Sequence, residues 1–196
     1  MPSVVPAVLR DSRVRLVLAS SSLLFVELLL IRWIPQTVLY IGFFSNFLLM
    51  GSFLGIGVGI LLGRRGSTSP LPVFPILFAI VVVLVGSLEL NVQVRSRDEI
   101  FFGLAESKAA DLNFLVLPLV VGLVAAVMAA LALPLGPLLK SRPPLEAYAL
   151  DISGSMLGIV GFTALSAAGT SPFVWFIVAT VLVLLLGAGA PAGRIP

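Results

Sequence analysis

Residues 38–62 read VLYIGFFSNFLLMGSFLGIGVGILL, a run without a single charged side chain. A helix needs roughly 20 apolar residues to cross a bilayer core of about 30 Å, so this stretch alone predicts a membrane-spanning helix. The rest of the chain has the same character: of 196 residues, 59% are apolar and 11% are charged, and the mean hydropathy is +1.18. Because soluble domains carry about 25% charged residues, the composition excludes a soluble globular protein.

Further apolar windows of similar length are bounded by charged residues, Pro or Gly. We therefore predict an all-α fold, a polytopic transmembrane helix bundle of about six spans that forms one domain over residues 1–196. The predicted spans cover residues 14–34, 38–62, 71–90, 113–135, 147–168 and 171–188. The first two spans are separated by a short turn at residues 35–37, and we expect them to form a tight antiparallel hairpin.

The cations indicate the orientation of the bundle. Most of them fall in segments that a six-span topology places on one side: Arg10, Arg13, Arg15, Arg64, Arg65, Lys140, Arg142 and Arg194. By the positive-inside rule, both termini are predicted to be cytoplasmic, in a multi-pass protein of the cell inner (plasma) membrane. Residues 91–112 then form an external loop or an interfacial helix, and residues 189–196 a tail or linker. Since topology explains the basic charge, no nucleic-acid partner is expected.

Three aromatic residues lie near the predicted outer ends of the spans, namely Trp33, Tyr40 and Trp175. Trp and Tyr are enriched at the interface between membrane and water. We expect these three side chains to act as interfacial anchors.

The chain contains no His and no Cys. This removes the commonest general base and metal ligand, together with thiolate chemistry. We therefore assign no catalytic, cofactor-binding or metal-binding residue, and we expect no enzyme activity from this chain alone.

Glycines recur every four residues in the second and fifth predicted spans. This spacing places them on one helical face, where another helix can approach backbone to backbone. The predicted packing faces consist of Gly51, Gly55, Gly59 and Gly63 in the second span and Gly154 and Gly158 in the fifth, with Gly57 and Gly161 beside them. A pocket or a sliding surface is the alternative role for such faces.

Three charged residues fall inside the spans, namely Glu27, Arg32 and Asp151. A charge at a helix centre costs about 2.5–3.5 kcal/mol on insertion scales, so such residues normally face the bundle interior. Glu27 and Arg32 lie about 140° apart on an ideal helix, and each needs a partner elsewhere. Asp151 shares a face with the glycines of the fifth span, and Tyr148, Asn46 and Ser45 are candidate hydrogen-bond partners. These residues form either a structural polar clamp or a site for a ligand or proton.

Two stretches carry a family resemblance. They are FVELLLIRW with YIGFFSNFLLMGSFLGIGVGILLG within residues 25–63, and LEAYALDISGSMLGIVGFTALSAAGTSPFVWF at residues 145–176. Both resemble the N-terminal membrane domain of bacterial spermidine synthase-like proteins, often described as fused major-facilitator/spermidine synthase proteins. In that family, membrane helices are joined to a soluble Rossmann-like aminopropyltransferase or methyltransferase-type domain. The most specific parts are the Glu27-to-Arg32 motif and the Tyr-x-x-Asp-x-x-Gly-Ser-x-x-Gly pattern at residues 148–158.

The resemblance implies a non-catalytic membrane domain that anchors an aminopropyltransferase- or methyltransferase-type domain in cis or in trans and that can also serve it. The glycine-rich acidic loop of such enzymes is missing from this chain, so we expect any such enzyme activity to belong to a domain that it does not contain. Two alternatives stay open. One is a small transporter module for a polar or cationic solute such as a polyamine, and the other is a structural subunit of a membrane complex that docks through its glycine faces.

Overall fold

A computed structural model describes residues 9, 11–37, 45–64, 73–91 and 108–188. Within these ranges the regular secondary structure is helical and no strand is present, which confirms the all-α prediction for this part of the chain. The helices are α1 (Ser12–Thr37), α2 (Ser45–Arg64), α3 (Val73–Asn91), α4 (Lys108–Ala132), α5 (Leu135–Lys140), α6 (Pro144–Ala167) and α7 (Pro172–Ala188).

Four segments are long and apolar enough to cross a membrane, namely Ser12–Thr37, Ser45–Arg64, Leu115–Lys140 and Pro144–Ala167. The apolar helices Val73–Ser87 and Pro172–Ala188 are shorter. The third long segment joins α4 to α5 across a turn at Leu133 and Pro134. The count of six spans and the cytoplasmic position of the termini stay predictions.

The predicted connections are only partly covered by the described residues. Residues 35–37 are the last turn of α1 and not the separate turn expected from the sequence. Pro35 lacks the N–H that would bond the carbonyl one turn earlier, and the Thr37 hydroxyl donates to the carbonyl oxygen of Trp33 at 3.0 Å. Residues 108–112 of the predicted external segment begin α4. Residues 92–107, the tail at 189–196 and Tyr40 lie outside the described residues.

Helix α1 is the central element of the bundle. It contacts each of the other described helices. Its fully buried apolar side chains occur on several of its faces and include Leu16, Val26, Leu29, Leu30 and Ile34. A helix that is apolar on all sides is usually buried. The sequence of α1 is apolar on all sides except for a few polar residues.

Helix α2 packs against α4 along its glycine face. A Cβ atom added to Gly55 would overlap the carbonyl oxygen of Ala125 and lie 2.9 Å from the Ala125 Cα. The contact repeats every four residues, with Gly51 facing Val121, Gly59 facing Ala129, and Gly63 facing Leu133, the residue that directly follows α4. Because the residue numbers increase together along this line, α2 and α4 run parallel. We call this contact the α2–α4 seam.

Helix α6 packs against α1 in the same manner. A Cβ added to Gly154 would lie 2.6 Å from the carbonyl oxygen of Val17, and one added to Gly158 would overlap that of Ser21. One turn further along both helices, the rings of Phe25 and Phe162 meet edge to face with their centres 5.5 Å apart. These pairs also increase together, so α1 and α6 run parallel in what we call the α1–α6 seam.

The main packing of the bundle therefore consists of two parallel pairs, and not of the hairpin expected between the first two spans. Helix α1 makes few contacts with α2. The glycine face of α2 instead meets the backbone of α4, including that of Ala125 and Ala129, because the absence of side chains on this face lets the two backbones come close and gain van der Waals contact. Gly57 and Gly161 are off both seams, since a Cβ added at either would meet no heavy atom within 4 Å.

A tight corner joins α6 to α7. Gly169 has a φ of 68°, a conformation that residues with a Cβ seldom adopt. Its N–H donates to the carbonyl of Ser166 at 3.2 Å, and the N–H of Thr170 donates to that of Leu165 at 3.3 Å, which is the Schellman pattern of helix ends. The Trp175 indole Nε1 donates to the Thr170 hydroxyl at 2.8 Å and so fixes the first turn of α7 on this corner.

Candidate functional site

Asp151 is held by a side chain of the first span. The Ser20 hydroxyl donates a hydrogen bond to Asp151 Oδ1. This contact depends on Gly154, because a Cβ there would lie only 3.0 Å from the Ser20 Cβ. The sequence did not indicate Ser20, since a serine inside an apolar helix can also bond the carbonyl one turn earlier. The Ser20 hydroxyl lies 3.1 Å from such a carbonyl, that of Leu16.

Asn46 and Tyr148, two of the three partners proposed from the sequence, do not contribute to this site, and Ser45 forms no hydrogen bond to Asp151 either. The side chains of Asn46 and Tyr148 are exposed, and 64% of Tyr148 is accessible. Neither forms a hydrogen bond within the described part of the chain. We therefore correct the expected partner of Asp151 to Ser20.

Glu27 lies deep in the bundle, with only 3% of its surface exposed. Its Oε1 has no hydrogen-bond partner among the described residues. Glu27 follows Ser20 by seven residues, which on an ideal helix places it within about 20° of the same face and about 10 Å further along. The side of α1 that meets Asp151 thus carries a second carboxylate two turns on.

Two further buried polar atoms have no hydrogen-bond partner among the described residues, Nε of Arg15 on α1 and Oγ of Ser52 on α2. Ser52 is fully buried. Ser52 stands beside the seam glycine Gly51, so its burial follows from the close approach of α2 and α4.

Arg32 lies on a different side of α1 and is exposed. Its guanidinium carbon is 5.9 Å from the centre of the Trp175 ring. Trp175 is only 4% exposed and packs on Phe162 with the ring centres 5.2 Å apart, so it is a buried core residue and not the interfacial anchor that we expected. None of the ion pairs between described side chains includes Arg32 or Glu27.

Ion pairs connect the first turns of α1 and α6. Glu146 Oε1 accepts from Arg13 at 2.8 Å and from Arg142 at 3.2 Å. Arg142 also lies 3.3 Å from the Asp11 carboxylate and 2.6 Å from the Ser12 hydroxyl. We call these residues the N-terminal ion network. With side chains between 20% and 58% exposed, each pair contributes at most about 1 kcal/mol.

In the sequence these cations indicated only the topology, and the acids that they bind were not predicted. The four-residue spacing of Arg142 and Glu146 is the signal that could have revealed one of these pairs. The pairs across the helices follow from the parallel α1–α6 seam, which brings both first turns to the same end of the bundle.

The described residues thus provide two carboxylates on one side of α1, Glu27 of α1 itself and Asp151 of α6, together with a separate exposed cation and an ion network at one end. Among these residues, no three His, Cys, Asp or Glu side chains gather into a group that could hold a metal ion. No protein-family model, curated protein or solved structure matches the chain. The family resemblance therefore stays a prediction.

Proposed function

We propose that the chain is a non-catalytic integral membrane domain that holds an aminopropyltransferase- or methyltransferase-type soluble domain at the membrane. One observation supports a scaffold role above the others. The two stretches that carry the resemblance, at residues 25–63 and 145–176, contain all six glycines of the two seams. In this proposal the resemblance thus reflects the residues that close the bundle, and not residues that bind a substrate.

The N-terminal ion network is the second support for an anchoring role. It cross-links the first turns of α1 and α6 at the end of the bundle that the positive-inside rule assigns to the cytoplasm. At the same end, the Lys140 ammonium lies 3.5 Å from the carbonyl oxygen of Arg64. A polar, mutually fixed surface of this kind suits contact with a soluble domain.

The test measures where aminopropyl transfer to a diamine acceptor occurs. Membranes from the native source are washed with carbonate and assayed before and after removal of this chain. We expect the activity to leave the membrane fraction when the chain is deleted, and also in a Gly55→Leu variant, whose α2–α4 seam cannot close. The matched control is Gly57→Leu, because that position is open. Activity that stays in the membrane without the chain, or that is absent from the membrane with it, would contradict the proposal.

A transporter for a cationic solute is a second candidate, and Glu27 is the observation that favours it. A buried carboxylate without a hydrogen-bond partner among the described residues suits an amine cation or a proton. The Asp151 carboxylate of α6 supplies a second acidic group, because it meets α1 at Ser20, two turns from Glu27 on the same side of that helix.

Spermidine uptake into reconstituted vesicles tests this candidate. We expect uptake by the wild-type chain that is lost in Glu27→Gln and reduced in Asp151→Asn. Glu146→Gln serves as the control, because Glu146 belongs to the N-terminal ion network. Absence of uptake by the wild type, or equal uptake by all the variants, would exclude this function.

The third candidate, a structural subunit of a membrane complex, was predicted to dock through its glycine faces. Both glycine faces are covered within this chain, by α4 and by α1. A structural subunit would therefore need to dock through a different surface.

A further inference from the structure

A shallow groove of about 440 Å³ opens between α1 and α6, near the C-terminal end of both helices. Its apolar walls include Leu28, Ile31 and Phe162, and its polar groups are Arg32, Thr163 and Ser166. The groove therefore combines an apolar floor with one cation and two hydroxyl groups. The polar groups of the groove differ from the glycines of the two seams and from the carboxylates Glu27 and Asp151.

The depth of Arg32 fits the headgroup region of a bilayer. Arg13, in the N-terminal ion network, precedes it by 19 residues on the same helix. At 1.5 Å per residue these two side chains are about 28 Å apart along the axis, close to the thickness of a hydrocarbon core of about 30 Å. If Arg13 lies at one surface, Arg32 lies at the other.

Within the described part of the chain, the donors of this groove have no anionic partner. Arg32 takes part in no ion pair within the described ranges, and the Trp175 ring at 5.9 Å is its one described polar contact. The hydroxyls of Thr163 and Ser166 form no hydrogen bond to other described residues. A guanidinium group presents paired N–H donors that match phosphate oxygens.

The apolar residues that line the groove, Leu28, Ile31 and Phe162, form its apolar floor, and they favour a lipid over a free anion. Leu28 lies one turn before Arg32 on α1, about 6 Å closer to the middle of the membrane. An acyl chain that leaves a phosphate bound at Arg32 would run inward over Leu28 and Ile31. We propose that this groove binds a phospholipid with an anionic headgroup, the phosphate on Arg32 and one acyl chain along the apolar floor. The proposal does not depend on the anchoring function.

Native mass spectrometry of the purified full chain in detergent tests the proposal, with dioleoyl phosphatidylglycerol as the probe. We expect wild type to retain the lipid and Arg32→Gln to lose retention roughly tenfold, with Arg32→Lys in between because it keeps the charge without the paired donors. Arg64→Gln is the matched control, since it removes an exposed arginine from the end of α2 at the opposite side, and it should bind like wild type.

Two further probes separate the sources of phosphate. Dioleoylglycerol, which lacks the phosphate, should not be retained, and inorganic phosphate should not displace the phospholipid. Equal retention by Arg32→Gln, equal binding of dioleoylglycerol, or displacement by inorganic phosphate would each overturn the proposal. If Arg32→Gln fails to fold, Ser166→Leu fills the groove while leaving the arginine in place, and it should reduce retention to the same extent.

Discussion

Replacing Gly55 by alanine tests the α2–α4 seam with the smallest change that the chain permits. The new Cβ would overlap the carbonyl oxygen of Ala125 and lie 2.9 Å from its Cα. Optimal carbon–carbon contacts are about 3.5–4.0 Å. Since these neighbours are backbone atoms that cannot rotate away, α2 has to move from α4 by about 1 Å.

That displacement would also loosen the neighbouring contacts of the seam, because Gly51 and Gly59 lie on the same line. Overpacking typically costs about 1–3 kcal/mol. We expect Gly55→Ala to fall in the upper part of this range, at about 2–3 kcal/mol. A second substitution, Gly59→Ala, should add less than its own single cost, because the first has already separated the helices.

The measurement is reversible unfolding in mixed micelles by titration with sodium dodecyl sulfate, followed by circular dichroism. Gly57→Ala is the matched control on the same helix. A Cβ at position 57 meets nothing within 4 Å, so the free energy of unfolding of the Gly57→Ala variant should not fall below that of the wild type. The higher helix propensity of alanine can raise this free energy by up to about 1 kcal/mol. Equal effects of the two substitutions, in either direction, would refute the packing described for α2 and α4.

Three further predictions concern the rest of the bundle. Gly158→Ala should lower the free energy of unfolding by about 1–3 kcal/mol, while Gly161→Ala should not lower it. The same titration compares the two variants, and an unchanged stability of Gly158→Ala would contradict the α1–α6 seam. A double-mutant cycle of Ser20→Ala and Asp151→Ala should give a coupling energy of about 0.6–1.7 kcal/mol, and additivity of the two changes would show that the hydrogen bond contributes nothing. Gly169→Ala should cost about 1–2 kcal/mol because its φ is positive, which a thermal melt in detergent measures; an unchanged melting temperature would argue against the corner between α6 and α7.

The apolar runs and the four-residue glycine spacing predicted the helices and the surfaces that they use for packing. Both are local properties, because a helix needs only its own sequence to present Gly51 and Gly55 on one face. The choice of partner is not local. A glycine face fits any helix with small side chains, and the alanines of α4 lie about 70 residues away in the sequence from the glycines that they meet. For this reason the sequence predicted a hairpin of the first two spans, whereas the structure pairs α2 with α4 and α1 with α6.

The cost of charge in a membrane drew attention to Glu27 and Asp151 in the sequence, but it did not indicate which side chains they meet. The rotation of each helix about its axis decides which neighbour a side chain meets, and the sequence does not specify that angle closely enough to choose Ser20 over Tyr148. Trp175 shows the same limit, because its position near a span end indicated an interfacial anchor while the corner at Thr170 turns the ring inward.

The pairing of the first helix with a late one also has a consequence for biosynthesis. Ser20 and Asp151 are 131 positions apart in the chain. At about 5–20 residues per second, the ribosome needs roughly 7–26 s to make the intervening polypeptide. During that interval α1 lies in the insertion machinery or in lipid without its partner. Chains that stop before α6 leave α1 unmatched, and we expect quality-control proteases to remove them.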